Sequence, residues 1–344
     1  MAGFDSRRTN LGVFAIAIVS TTSGFATYLV GTNSYWWVFW SHGAIGLSLL
    51  ALLWWKGKVV LRGLRKRWPS ITAVLSIITM ALLLAIITTG VWSAVGKGGS
   101  LGPWSMLELH VGGALIIIPL FIAHLIGRWV PPAKRDLSRR VLLRASALIG
   151  AGAALRLGTD GIAKAVGLVG GKRRFTGSHL IGKPGEPFPH VSWLFEDPDP
   201  IDRDAWRLNI VGEVEAELAL SYADLAAEPH DRVRATIDCT GGWYSAQDWE
   251  GVRLGALLDR ARLRDGVRSI VFTSVKGYSR AYPVEGARSL LLATRVSGAE
   301  LEHGHGFPAR VVAPGRRGYW WVKWVTEIEA SAAPSWFQPP VPLQ

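Results

Sequence analysis

One cysteine, Cys239, stands in the whole 344-residue chain, so no internal disulfide can form. A solitary thiol is either a small buried hydrophobe or a thiolate with a chemical task. Acidic residues are almost missing from the first part: between Met1 and Arg135 there are only Asp5 and Glu108. The histidines and carboxylates of the second half lack zinc-ligand spacing. A nucleotide phosphate loop is absent too. The glycine-rich runs 96–102 and 167–171 follow no predicted strand, and Lys172 precedes Arg173 where such a loop needs Ser or Thr. The formal charge of +12 is spread beside apolar runs instead of forming one patch. It therefore points to a membrane surface and not to nucleic acid.

What the first half does have is length of apolar sequence. Residues 11–30, 35–55, 71–92 and 107–129 are each long enough to cross a bilayer, for which about 20 apolar residues suffice. Tyr35, Trp36, Trp37, Trp54, Trp55, Trp68, Trp92, Trp104 and Trp129 cluster at their ends, where amphipathic rings settle at headgroup depth. The connections holding Lys56, Lys58, Arg62, Arg65, Lys66 and Arg67, and then Arg128, Lys134, Arg135, Arg139 and Arg140, are strongly basic. The other two connections carry one charge, Lys97. Basic loops stay inside, which places the N-terminus with Arg7 and Arg8 in the cytoplasm and returns the fourth helix to that side. The expectation is a multi-pass protein of a bacterial cell membrane, with the lipid bilayer as its first partner.

A fifth segment differs. Ser138, Arg139, Arg140, Leu142 and Leu143 precede a Gly/Ala-rich apolar stretch, 145–155. About 11 residues is short for a span and suits the apolar region of an export signal. The pattern resembles a twin-arginine signal, a route that carries folded proteins. Three regions follow: a four-helix membrane domain over 1–135, the signal-like segment and linker over 136–174, and an α+β domain over 175–344.

Three histidines fall in the apolar half. His42 on the second span and His110 on the fourth lie at similar depth near the outer face, and intramembrane ionisable groups are costly and usually functional. Together they suit axial ligation of one b-type haem. His124 shares a helix face with His110, but position 56 opposite it is Lys56, so no second pair exists.

The second half reads as one α+β core. Strands are expected after Trp206, over 233–238, 269–274 and 309–313, and over 319–329. Short helices are expected at 220–225, with Ser221 as cap, and at 252–261. The Pro-rich end around Gln338 reads as unstructured.

Two segments of this half carry a resemblance. Cys239, Thr240, Gly241, Gly242 and Trp243, followed by Trp249, Gly251 and Leu254, resemble the molybdenum-binding segment of the sulfite oxidase family. Gly304, His305, Gly306, Pro308, Arg310, Pro314, Gly315, Gly318, Lys323 and Trp324 resemble the same family's pterin-side motif. The resemblance covers about half the chain. It implies a C-terminal α+β molybdopterin-binding domain joined to the N-terminal all-α membrane helices. It also implies a molybdenum-pyranopterin cofactor with Cys239 as thiolate ligand, Thr240, Gly241 and Gly242 beside it, Arg310 and Lys323 on the pterin phosphate, and His305 in the pterin pocket.

Departures bear on substrate. Sulfite-oxidising members usually carry an Asn-Arg-Arg run soon after the metal cysteine; here Trp243 and Tyr244 occupy that region. The pattern is closer to the bacterial branch that includes the periplasmic methionine sulfoxide reductase. Lys276 stands where many relatives have Asp before Gly-Tyr. Trp243, Tyr244 and Tyr278 are candidates to shape an apolar or sulfoxide-sized catalytic pocket, with core packing as the equal alternative for each. The expected activity is oxygen-atom exchange with a small molecule or oxidised side chain outside the membrane. Electrons come from quinol or a membrane or periplasmic redox partner. Reduction of S- or N-oxides is favoured over a sulfite-type dehydrogenase feeding electrons inward; a non-catalytic membrane protein that retains the fold is the third reading.

Overall fold

The computed structural model describes residues 6–67, 69–96, 99–126, 131, 133, 136, 138–192 and 196–341. Trp68, Lys97, Arg128, Trp129, Lys134 and Arg135, all used in reading the membrane topology, lie outside them, as does the side chain of His124. The chain divides into two compact units, Met1–Thr27 with Asn33–His179, and Tyr28–Thr32 with Leu180–Gln344.

The first unit holds five long helices: α1 (Ser6–Leu29), α2 (Trp36–Arg67), α3 (Ile71–Val95), α4 (Met106–Ile126) and α5 (Arg139–Ala165). A small hairpin of β1 (Ser100–Leu101) and β2 (Trp104–Ser105) precedes α4. Each of the five helices contains a stretch long and apolar enough to cross a membrane. α2 packs on α3 and α5, and α3 on α4. Val13, Leu49, Leu52, Leu53, Leu83 and Ile117 form the buried seam, while Ile18, Leu84, Leu115 and Ile122 stay exposed around it. Apolar side chains pointing outward are what lipid permits and water penalises.

Two elements exceed the expected lengths. α2 continues 12 residues past Trp55 through its basic stretch to Arg67, because Lys, Arg and Leu are good helix formers. The fifth segment is a helix of 27 residues, not an isolated stretch of about 11. Arg156 and Asp160 do not end it, since they are i,i+4 partners 3.2 Å apart.

The second unit is built on two sheets. The first contains β3 (His179–Leu180), β6 (His230–Asp238), β7 (Trp243–Arg253), β10 (Leu291–Val296), β11 (Ala299–Glu300) and β12 (Arg310–Val312). The second has the order β5-β4-β13-β8-β9, with β4 (Arg207–Gly212), β5 (Leu218–Ser221), β8 (Ser269–Ser274), β9 (Ser279–Pro283) and β13 (Val325–Ser331). Only β4 and β13 pair in parallel there. Short helices α6 (Tyr222–Ala227), α7 (Leu254–Ala261) and α8 (Val284–Arg288) complete the unit. Ser221 does cap α6, through a reciprocal capping box with Asp224.

Several boundaries move from the sequence reading. Val252 and Arg253 end β7 and do not open α7. The span 319–329 is not one strand: Gly318–Trp320 is a 3-10 turn, Trp324 adopts φ 51°, and β13 begins at Val325. Aromatic density imitates β propensity there, but Trp321 and Trp324 are buried around a turn. Nor is the Pro-rich end unstructured up to residue 341. Gln338 donates to the Ala281 carbonyl at 2.8 Å and accepts from its amide at 3.1 Å, while Arg280 donates to the Pro339 carbonyl at 2.7 Å.

Candidate functional site

β6 and β7 are consecutive antiparallel strands whose last register pair is Asp238 with Tyr244. Cys239 to Gly242 form the turn between them, closed by the Cys239 amide donating to the Trp243 carbonyl at 2.8 Å. Gly242 has φ 90°, a left-handed conformation that glycine adopts without strain. Gly241 contributes differently: its amide donates to Cys239 Sγ at 3.3 Å. The sulfur is therefore held at the end of a strand, 9% exposed, facing a cleft.

Burial pushes the Cys239 thiol up, opposed by the Gly241 amide and by Arg317. Arg317 is itself buried and paired with Asp238, Nη1 to Oδ1 at 2.6 Å, and its Nη2 donates to the Cys239 carbonyl at 3.2 Å. The pair locks the backbone on either side of the thiol.

Across the cleft lies the second motif. Phe188 stacks on His305 with ring centroids 4.0 Å apart, and His190 meets the same ring edge-on at 5.7 Å. Burial, then Arg310, lowers His305 to about 3, so it is a neutral imidazole. Arg310 is 3% exposed; it donates to the carbonyls of His305 and Trp321 and lies over the Trp249 ring at 5.0 Å. Burial brings it down to about 9. Lys323 donates to Gly304 O at 3.0 Å and Ser192 Oγ at 3.2 Å, and burial followed by Arg310 lowers it to about 7. Neither cation has a carboxylate at ion-pair distance among the described residues, and Arg310 Nε makes no hydrogen bond. Lys323 is half-buried and feels the carboxylates of Asp197 and Glu196 from beyond ion-pair distance, whereas Arg310 is a buried charge without a carboxylate, which is expensive unless a bound anion supplies the counter-charge.

The cleft thus gathers Cys239, Thr240, Tyr278, His305, Arg310 and Lys323 of the residues expected at the site. It does not gather Tyr244. Successive strand residues point to opposite faces, and Trp243 is the one that lines the cleft. Tyr278 does line it, but its hydroxyl donates to the Tyr319 carbonyl, which makes it a wall more than a free acid. Lys276 sits outside, donating to the Asp197 carbonyl at 3.3 Å. Phe188, His190, Glu196, Arg317 and Tyr319 join the site without having been expected from the sequence. Arg317 alone had a signal, in the Arg-Arg step before Gly318.

One thiol and two cations outside any close ion pair among the described residues suit a molybdenum pyranopterin. The sulfur is a soft donor for the metal, and the cations meet a phosphate. Among the described residues no group of three or more His, Cys, Asp or Glu side chains is placed to hold a metal. Residues 195–337 match the family of the oxidoreductase molybdopterin-binding domain. This segment is an oxidoreductase molybdopterin-binding domain.

Relatives agree. The uncharacterized oxidoreductase YuiH of Bacillus subtilis is 29% identical over 133 residues, covering 37% of this chain and 66% of that protein. Mitochondrial sulfite oxidase of Rattus norvegicus is 30% identical over 168 residues, 40% of this chain and 31% of its own. The protein-methionine-sulfoxide reductase catalytic subunit MsrP of Campylobacter jejuni is 27% identical over 143 residues, 36% and 48% of the two chains. The match thus spans between 31% and 66% of these proteins' own lengths.

Proposed function

We propose that the chain is a membrane-anchored molybdenum oxidoreductase that exchanges an oxygen atom with a small molecule or oxidised side chain outside the bacterial cell membrane. The helices of the first unit span the bilayer with the N-terminus in the cytoplasm, and they carry electrons from quinol or another redox partner. The observation that carries the reading is the pairing of one strand-end thiol, Cys239, with two cations that line the same cleft and have no carboxylate at ion-pair distance among the described residues, the buried Arg310 and the half-buried Lys323.

When bound, a molybdenum pyranopterin supplies two-electron oxygen-atom exchange. The residues divide the remaining work. Cys239 would hold the metal as its thiolate, whose charge the Gly241 amide would stabilise. Arg310 and Lys323 would hold the pterin phosphate, and the neutral His305 would pack against the pterin. Arg317 and Asp238 keep the ligand turn in place without offering net charge to a substrate.

That neutrality favours S- or N-oxide reduction. A sulfite dianion needs a fixed cation of its own, whereas an oxide needs a donor for its oxygen and apolar walls. Trp243 Nε1 is buried with no hydrogen-bond partner among the described residues. It stands 3.8 Å from the place a Cβ on Gly241 would take, which is itself 3.5 Å from the sulfur. It is the donor for the oxide oxygen, with Tyr278 and Tyr319 as walls. Each turnover takes two electrons and two protons and releases water.

An EPR titration of molybdenum in the purified full-length protein, run against S-oxides, N-oxides and sulfite, tests this. Reoxidation of the reduced centre by an oxide supports the reductase reading. Reduction by sulfite moves the assignment to a dehydrogenase feeding electrons inward. Near-zero molybdenum after expression in a cofactor-competent host leaves a non-catalytic membrane protein.

A further inference from the structure

Two helix pairs in the first unit treat a histidine alike. His42 on α2 leans on α1, its Nδ1 3.1 Å from Ser23 Oγ, and a Cβ on Gly24 would stand 3.2 Å from its Cε1. His110 on α4 leans on α3, its Nδ1 2.7 Å from the Ile86 carbonyl oxygen, and a Cβ on Gly90 would stand 2.7 Å from its Cε1. The two rings then meet with centroids 6.1 Å apart and planes at 74°. These hydrogen bonds run through Nδ1 and set each ring's orientation, which leaves Nε2 for a further ligand.

Spacing selects that ligand. With metal–nitrogen bonds of about 2 Å, imidazoles on opposite sides of one ion have centroids roughly 6 Å apart. A bare cation would lack further donors, since no third His, Cys, Asp or Glu joins the pair among the described residues. A haem brings its own equatorial nitrogens and an apolar rim, and asks the protein only for axial ligands.

Charge beside the rings agrees. Arg156 on α5 reaches the backbone next to His42, its Cδ 3.2 Å from where a Cβ on Gly43 would lie. Asp160 is shared between Arg156, at 3.2 Å, and Arg173, at 2.7 Å. One carboxylate against two guanidiniums leaves excess positive charge, and Arg156 Nε has no hydrogen bond of good geometry. Ionisable groups inside an apolar bundle are retained for function more often than for stability.

We propose that His42 and His110 are the axial ligands of one b-type haem, and that Arg156 holds one of its propionates. The iron alternates between ferrous and ferric, one electron at a time, with no bond made or broken. Two such passes, fed by oxidation of one quinol to quinone and two protons, match one oxygen-atom exchange. Only the destination of the electrons rests on the function proposed above.

Full-length protein from a haem-replete host tests this. It should show a Soret band and a low-spin bis-imidazole EPR signal, with one haem per chain by pyridine haemochrome. His42→Ala and His110→Ala should each abolish the low-spin signal while molybdenum content stays unchanged, which reports a folded chain. His110→Met, which keeps an axial donor, should raise the haem reduction potential. Arg156→Leu should lower that potential, because a cation near the propionates favours the ferrous state. Molybdenum-replete protein without a Soret band overturns the haem and leaves the molybdenum reading intact. A low-spin signal that survives both alanine variants overturns the ligands, and an unmoved potential in Arg156→Leu overturns the propionate contact.

Discussion

Arg317 and Asp238 form an ion pair with side chains 6% and 3% exposed, immediately next to the only thiol. Breaking one member of such a pair strands a buried charge, which costs on the order of 3–5 kcal/mol. Arg317→Met should therefore lower the denaturation midpoint of the protein strongly and reduce its molybdenum content. Adding Asp238→Asn to Arg317→Met should recover most of the stability, because the stranded charge is gone. A double-mutant cycle by chemical denaturation measures this, and equal loss in the single and double variants would show that the pair is not what holds the turn.

Cys239→Ala should separate chemistry from folding. The sulfur occupies a turn at the edge of the core and makes one amide contact, so its removal costs about 1 kcal/mol. The melting temperature should stay close to that of the parent while molybdenum EPR signals and turnover disappear. Retained turnover would remove the thiolate from the mechanism.

Much of this site was legible because its two motifs each fold locally, and the structure brings them to one cleft although Cys239 and Gly304 are 65 residues apart. Ser221 was legible as a cap for the same local reason. The strand β7 was not. Its inward positions include Ser245 and Gln247, 0% and 1% exposed, so polar residues hide the period-2 pattern. Their burial is tolerated because Gln247 bonds Ser245, Gly185, Ser297 and the Lys183 carbonyl. Expecting Trp243 and Tyr244 to line one pocket likewise overlooked the alternation of a strand not yet recognised. The partner of Arg317 lies 79 residues away, a relation no local pattern encodes. The apolar run 145–155 did not display the length of α5 either, which continues through Arg156 and Asp160 as an i,i+4 pair.

Gln338 caps the edge of the second sheet. β9 is the terminal strand, and the Gln338 amide pairs with both backbone groups of Ala281. Unpaired edges invite association with other chains. Arg280, 1% exposed, spends its Nη2 on the Pro339 carbonyl. Deleting residues 336–344 should leave that guanidinium short of an acceptor, at about 1–3 kcal/mol. The expected outcome is a lower melting temperature and concentration-dependent association by light scattering. Gln338→Ala should show a milder form of both.

Lys323 ties the anion site to pH. Burial first, and then Arg310, lowers its ammonium to about 7, so in the absence of a bound anion it loses its proton as pH rises through that value. In the unfolded chain the lysine titrates near 10.4. Between those limits the unfolded state holds the extra proton, so this group makes the cofactor-free chain more stable as pH climbs from about 7 towards 10.4, and less stable as pH falls. Anion binding has the opposite sign, because it needs the ammonium. Sulfate keeps a constant charge across this range and serves as the probe. It should raise the melting temperature of cofactor-free protein clearly below pH 7 and progressively less above it. Arg310, lowered only to about 9, still holds its charge at pH 8 and should sustain a weaker residual effect there. Lys323→Met should flatten the response between pH 6 and 8 without abolishing the residual, and a sulfate effect that keeps its full pH dependence in that variant would transfer the titration to another group.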